Sequence, residues 1–152
     1  MKKNELYAFL NKQVNQAVAL MGVAGGYANG YVALPPTHPF YNVDYSETDN
    51  HVDIHGGLTF GECIDNIRCH EEWVQGIECI GFDSFTDIPD DYFVVGFDTL
   101  HAGDGGLNRD WCVEETLRLK NQLEAMMTEQ PSTAEGGIDR IDTIENIERI
   151  EL

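Results

Sequence analysis

Tyr92-Phe-Val-Val-Gly-Phe97 is the stretch whose reading decides the fold. It is aromatic, β-branched and apolar at successive positions. That predicts a strand over 92–98, covered on both faces and so interior to a sheet. Just past its end, Gly96-Phe-Asp-Thr-Leu-His-Ala-Gly-Asp-Gly-Gly106 carries Asp98, His101 and Asp104 into a glycine turn. An earlier stretch, Asn50-His-Val-Asp-Ile-His-Gly-Gly-Leu-Thr-Phe60, has the same design. His51-Val-Asp-Ile-His55 alternates, which predicts a strand over 51–55 with Val52 and Ile54 in the core and His51, Asp53 and His55 on the opposite face. Gly56-Gly57 then either lets the backbone approach a ligand or forms a bulge. A scaffold that ends strands this way presents polar side chains at the rim of a sheet. The expected rim holds His55, Thr59, Asp98, His101 and Asp104.

Outward from these two stretches, Asn4 offers a cap for a helix over 4–21, with Leu6, Phe9, Leu10, Val14, Ala17 and Met21 on one face. Gly25 to Gly30 reads as a flexible joint. Tyr31 to Leu34 reads as a strand stopped by Pro35-Pro36, and Thr37 to Ser46 is an aromatic-rich loop. His38 in that loop either lines a pocket or sits at the surface. Residues 63–76 read as helix or long loop, and 77–82 as a further strand. Asn108 or Asp110 caps a helix over 109–127 whose buried face is Cys112, Thr116, Leu119, Leu123 and Met126. Glu114–Arg118 and Lys120–Glu124 have the spacing of supporting pairs on its outer side. The fold class expected is therefore α+β: a small, mainly antiparallel sheet with an N-terminal and a C-terminal helix packed on it.

The chain has 152 residues, one domain's length, expected over 1–129. An acidic tail, 130–152, follows. From Ile138 it repeats an isoleucine triplet five times, a period that makes a spiral stripe on a helix and not a clean face. The tail reads as a homo-oligomer contact through 138–152 or as a loosely ordered appendage.

The formal charge is −18, from 27 acids and 9 bases, and between Gln13 and Asn108 only Arg68 is basic against fifteen acids. Such a surface repels phosphate backbones, so a nucleic-acid duplex is not expected as partner. No segment approaches the roughly 20 apolar residues of a membrane span, and no export signal is read at the N-terminus. A cytoplasmic location follows as the expectation, with free thiols at Cys63, Cys69, Cys79 and Cys112. Cys63, Cys69, His70 and Cys79 together would make a zinc set of unusual spacing.

Gly30-Tyr-Val-Ala-Leu-Pro-Pro-Thr-His-Pro39, His55-Gly-Gly-Leu-Thr-Phe60 and Gly96-Phe-Asp-Thr-Leu-His-Ala-Gly-Asp104 resemble, in this order, a group of small phage and prophage proteins. That group is marked by the runs GYVAVP–GHP, HGGLT and GFDxxHxGD. The resemblance covers roughly residues 29–125 and leaves out the N-terminal segment and the tail. Relatives often carry Cys before Ala-His in the third motif; this chain has Thr99-Leu100 there, so no thiol role carries over. The resemblance implies a phage accessory protein of the kind that counters host defence inside the infected bacterium, some of which bind or cleave nucleotide signals.

Three functional readings follow. The first is a pocket for a small nucleotide-like ligand. There Tyr31, Phe40, Tyr41 and Tyr45 stack, His38 lines the wall, and His55, Thr59, Asp98, His101 and Asp104 give polar contacts. Backbone donors at Gly56-Gly57 and Gly103–Gly106 would hold phosphate. The second is a hydrolase in which His55 and His101 act as base and acid, or in which His55, Asp98, His101 and Asp104 hold a divalent cation. The third is an acidic, non-catalytic blocker of a host protein. The plain alternative is that both histidines merely bond backbone at turns while Asp98 and Asp104 cap loops. No P-loop, serine elbow or dinucleotide glycine motif occurs.

Overall fold

The computed structural model describes residues 4–128. Five strands form one antiparallel sheet in the order β3-β5-β2-β1-β4. They are β1 (Tyr7–Asn11), β2 (Asn29–Leu34), β3 (Phe60–Cys63), β4 (Ile77–Ile80) and β5 (Phe93–Phe97). The helices are α1 (Gln13–Ala19), α2 (Tyr45–Asp49), α3 (Ile64–Arg68), α4 (Glu71–Gln75) and α5 (Arg109–Thr128). The α+β class is thus observed, with one helix near the N-terminus and a long one at the C-terminal end.

Every residue of β1, β2 and β5 is buried, and alternate residues serve two different cores. Leu6, Val32, Leu34, Phe93, Val95 and Phe97 face Leu119 and Leu123 of α5, joined by Ile54 and Leu58. Tyr7, Phe9, Tyr31 and Val94 face the other way, where Ile64, Ile67, Phe85 and Ile88 cover them. This second layer is aromatic: Phe9 stacks on Tyr31 at 5.3 Å, and Trp73 stands edge-on to Tyr31 at 5.2 Å. Burying Leu119 and Leu123 fully contributes about 1.5–3 kcal/mol each, the kind of term that pins α5 to the sheet. Asn108 caps α5 through its side-chain oxygen, which accepts from the Trp111 amide at 2.9 Å.

Two elements differ from the expectation. The segment expected as one helix over 4–21 divides into β1 and α1. Leu6 to Leu10 is a continuous apolar run in which 3–4 spacing arises by coincidence, and a run that short does not distinguish strand from helix. Sandwiched between β2 and β4, it gains ladder partners on both sides. Asn11 ends it: its side-chain oxygen accepts from the Gln13 amide at 2.8 Å and its nitrogen donates to the Trp73 carbonyl at 2.7 Å. Asn4 bonds Thr37 and caps nothing, and Leu20 and Met21 are exposed.

His51–His55 is likewise not a strand. The strand lies five residues on, at Phe60–Cys63, where it pairs with β5. The backbone of 53–55 is satisfied instead by side chains of α5. Gln122 accepts from the Asp53 amide at 2.7 Å and donates to the Asp53 carbonyl at 2.9 Å, and Glu115 accepts from the His55 amide at 2.8 Å. Ile54 is in the core, as its place in the alternation implied.

Residues 63–76 resolve into α3 and α4, and the Gly25–Gly30 joint is fastened: the Gly26 amide donates to the Thr99 carbonyl at 2.7 Å. Arg118 pairs with Glu115 and Asp53 in place of Glu114, the partner its spacing suggested, and Lys120 pairs with Glu124 as expected. Among the described residues no helix is long and apolar enough to cross a membrane. The isoleucine triplets from Ile138 lie outside the described residues.

Two outcomes follow from this packing. A Cβ at Gly30 would overlap Thr116 Oγ1 and the Phe97 ring, so Gly30→Ala should lower stability by about 1–3 kcal/mol, measured by denaturant midpoint. His38 is buried, its Nδ1 accepting from the Phe40 amide at 3.0 Å and its Nε2 donating to the Leu123 carbonyl at 2.8 Å. Burial lowers its pKa, and the Leu123 carbonyl opposes this only in part. The unfolded chain therefore binds the proton more readily. Its stabilising effect is complete above about pH 6.5 and declines as pH falls from there toward the folded value. His38→Gln should flatten that part of the stability–pH curve relative to the wild type.

Candidate functional site

The rim expected from sequence assembles around one carboxylate. Asp104 opens a 3₁₀ turn, Asp104–Gly106, and its side chain is only 6 % exposed. That turn is closed by the Leu107 amide donating to the Asp104 carbonyl at 3.0 Å. Just before it the Asp104 amide donates to the His101 carbonyl at 3.0 Å, and the His101 amide donates back to Asp104 Oδ2 at 2.9 Å. Asp104 Oδ1 stands 3.0 Å from His55 Nε2, and Oδ2 stands 3.2 Å from His101 Nδ1. The two imidazole centroids are 5.6 Å apart at 81°. A carboxylate accepts from both rings, which places the protons on His55 Nε2 and His101 Nδ1. His55 Nδ1 and His101 Nε2 are then left as lone-pair positions on rings whose side chains are 29 % and 43 % exposed.

Each histidine is held by a neighbour. His55 follows the buried Ile54, has its amide on Glu115, and lies edge-on to Trp111 at 5.0 Å. His101 packs against Gly56, where φ is +69° and any Cβ would strike the imidazole. Gly56 therefore has two reasons to be glycine, the left-handed backbone and the ring above it. Asp98 Oδ1 comes to 3.5 Å of His101 Nδ1 while accepting from the Leu100 amide at 3.1 Å. Thr99, standing where the resembling motif has cysteine, is fully buried. Its hydroxyl donates to the Ala28 carbonyl at 2.8 Å and accepts from Asn15 at 3.0 Å, a structural assignment.

No family model, curated protein or solved structure matches the chain.

The remaining residues expected at the site lie elsewhere. Tyr31 is in the aromatic layer on the opposite face of the sheet, and burial pushes its hydroxyl up to about 12. His38 belongs to the α5 core contact described above. Tyr41 donates to the Asp91 carbonyl at 2.7 Å and stands edge-on to Phe93, so stacking on a shared ligand is not its role. The Gly57 amide is engaged by the Ile54 carbonyl, and the Asp49 carboxylate borders that glycine and accepts from Leu58 at 2.7 Å. A phosphate has no welcome there. Thr59 is exposed, its amide donating to the Gly96 carbonyl at 2.9 Å, which extends the β3–β5 ladder by one residue. Nor do Cys63, Cys69, His70 and Cys79 converge: among the described residues the three-membered ligating group is His55, His101 and Asp104, and the four thiols are free.

Sequence reasoning missed Trp111, Glu115 and Gln122. They occupy the face of α5 beside its apolar stripe and read as ordinary solvated helix positions. The signal was the unpaired backbone of 53–55, which is visible only once that stretch is known not to be a strand.

Asp104 carries the prediction. Burial alone would raise its carboxyl, but the His101 amide and the two imidazoles outweigh that and hold it below the ordinary carboxylate value. With the folded pKa below the unfolded one, its stabilisation is complete above about pH 4 and is lost as pH falls from there through the lower folded value. Asp104→Asn should lower stability at pH 7 by about 1–3 kcal/mol and remove that acid-side dependence, read from unfolding at pH 7 and pH 3.

Proposed function

We propose that this protein is a phage-type accessory protein that hydrolyses a phosphodiester in a small nucleotide-like molecule at the His55–Asp104–His101 centre. The observation that carries the chemistry is the single buried carboxylate that orients two half-exposed imidazoles from segments 49 residues apart. The substrate class rests on the resemblance of the three motifs. One imidazole takes a proton from water as oxygen bonds to phosphorus. The other, entering protonated, gives its proton to the leaving oxygen as the second P–O bond breaks. Asp104 holds both rings in register and stabilises whichever becomes imidazolium.

Hydrolysis is preferred to sequestration because both rings stand partly open to solvent. A protein that sequesters a small molecule encloses most of its surface in a cavity. The cleft of about 490 Å³ is lined by Phe60, Glu62, Glu71, Glu72 and Trp73 among others, and by no member of the centre. That cleft favours a second reading, the acidic blocker. Glu71 and Glu72 are exposed at its edge and Phe60 stacks on Trp73 at 6.0 Å in its wall, while Arg68 on α3 bonds Asp90 and the Ile88 carbonyl.

The test is incubation with a panel of cyclic nucleotides and ADP-ribose derivatives, followed by heating and analysis of what is released. A ring-opened or cleaved phosphate product, reduced at least about a hundredfold in His55→Ala and in His101→Ala, is expected. Intact ligand released only on heating would replace hydrolysis with sequestration. No ligand retained or altered would leave the blocker.

A further inference from the structure

The geometry of the same centre points to a divalent first-row metal ion held by His55, His101 and Asp104, an inference that rests on the site proposed above but not on its substrate or its acid–base step. With both imidazoles as ligands, an ion-bound water would supply the nucleophile in place of a histidine base. The three donor atoms lie within 4.8 Å of one another. An ion that holds ligands at about 2.1 Å places neighbouring donors at right angles about 3.0 Å apart. The carboxylate–imidazole separations, 3.0 Å from Asp104 Oδ1 to His55 Nε2 and 3.2 Å from Oδ2 to His101 Nδ1, are close to that spacing, each through its own oxygen. Rotation of the rings would bring the two nitrogens to adjacent corners. Two imidazoles and one carboxylate are the donor set of a facial triad, which suits Zn²⁺, Mn²⁺ or Fe²⁺ and leaves positions open for water and a substrate oxygen.

The surroundings fit an ion better than they fit a simple hydrogen-bonded pair. Asp98, Asp104 and Glu115 bring three carboxylates around the two rings, and Arg118, a nearby cation, is engaged by Glu115 and Asp53. Glu115 is thus charge-paired with Arg118, and it is the field of Asp98 and Asp104 that favours a cation at the rings. The donors are also supported from behind, as metal ligands generally are. The His101 amide bonds Asp104, Glu115 holds the His55 backbone, and Trp111 backs the His55 ring. Binding needs only that each ring present its lone pair to the ion. The protons on His55 Nε2 and His101 Nδ1 move to the other ring nitrogen, with no net proton released from neutral imidazoles. Asp98 stays outside the set, its Oδ1 fixed by Leu100.

The experiment uses the full chain, stripped with EDTA and titrated with Mn²⁺ and with Zn²⁺ in about 0.15 M salt, so that diffuse binding to an acidic surface is screened. One equivalent should bind, with affinity lowered more than tenfold in His55→Ala, His101→Ala and Asp104→Asn and unchanged in Glu72→Gln. Co²⁺ bound to the wild type should give a spectrum without thiolate charge transfer, which separates this site from the cysteines. No saturable binding, or binding indifferent to the three substitutions, overturns the inference. Turnover that persists in EDTA without a retained ion defeats the metal and spares the hydrolase. An ion held at the centre with every nucleotide unchanged does the reverse.

Discussion

Three adjacent strands covered on both faces set the terms for everything else in this fold. β1, β2 and β5 expose almost nothing, so their backbone groups have to be satisfied within the sheet and their side chains have to alternate between two cores. The aliphatic core needs one long cover, which α5 supplies. The aromatic core needs several short ones, which α3, α4 and the turn near Phe85 supply. Polar residues are thereby driven to the ends of strands and to the segments that cross over α5. That is where His55, His101 and Asp104 are found.

The end of β5 is fastened before it becomes a site. Asn29 accepts from the Thr99 amide at 2.9 Å, Thr99 bonds Ala28 and Asn15, and the Gly26 amide reaches back to Thr99. These buried bonds fix the direction in which the chain leaves the sheet, and the tight turn from His101 to Asp104 then aims the carboxylate. A half-exposed pair of imidazoles so placed needs little reorganisation to act, which is what a catalytic or ligating group requires.

Much of the sheet was legible because its strongest signals are local. Phe93 to Phe97 and Tyr31 to Leu34 read as strands from composition alone, and the stripe of Cys112, Thr116, Leu119 and Leu123 gave α5. The first strand was hidden by a short apolar run that fits two periods. The true β3 was hidden because Phe60–Cys63 contains a glycine and a glutamate and is only half-buried at an edge. At the rim, the strand-end glycine turns pointed to His55, His101 and Asp104, which the fold brings together. Tyr31, His38 and Tyr41 were misplaced because an aromatic residue in a loop or strand reads the same whether it lines a pocket or fills a core.

The crossing segment 53–55 has a kinetic consequence. Its contacts span long stretches of chain: Asp53 with Gln122 at a separation of 69 residues, His55 with Glu115 at 60, and His55 with Asp104 at 49. Loop closure of that length is costly before the sheet exists to share it, and distant pairings govern how slowly such topologies fold. The sheet's own pairings are as distant, Ala8 with Ile80 and Gly30 with Phe97, so the histidines meet as part of the same closure that brings β4 to β1 and β5 to β2. On refolding, the Trp111 fluorescence that His55 borders should recover together with the sheet, which makes the centre a reporter of completed folding.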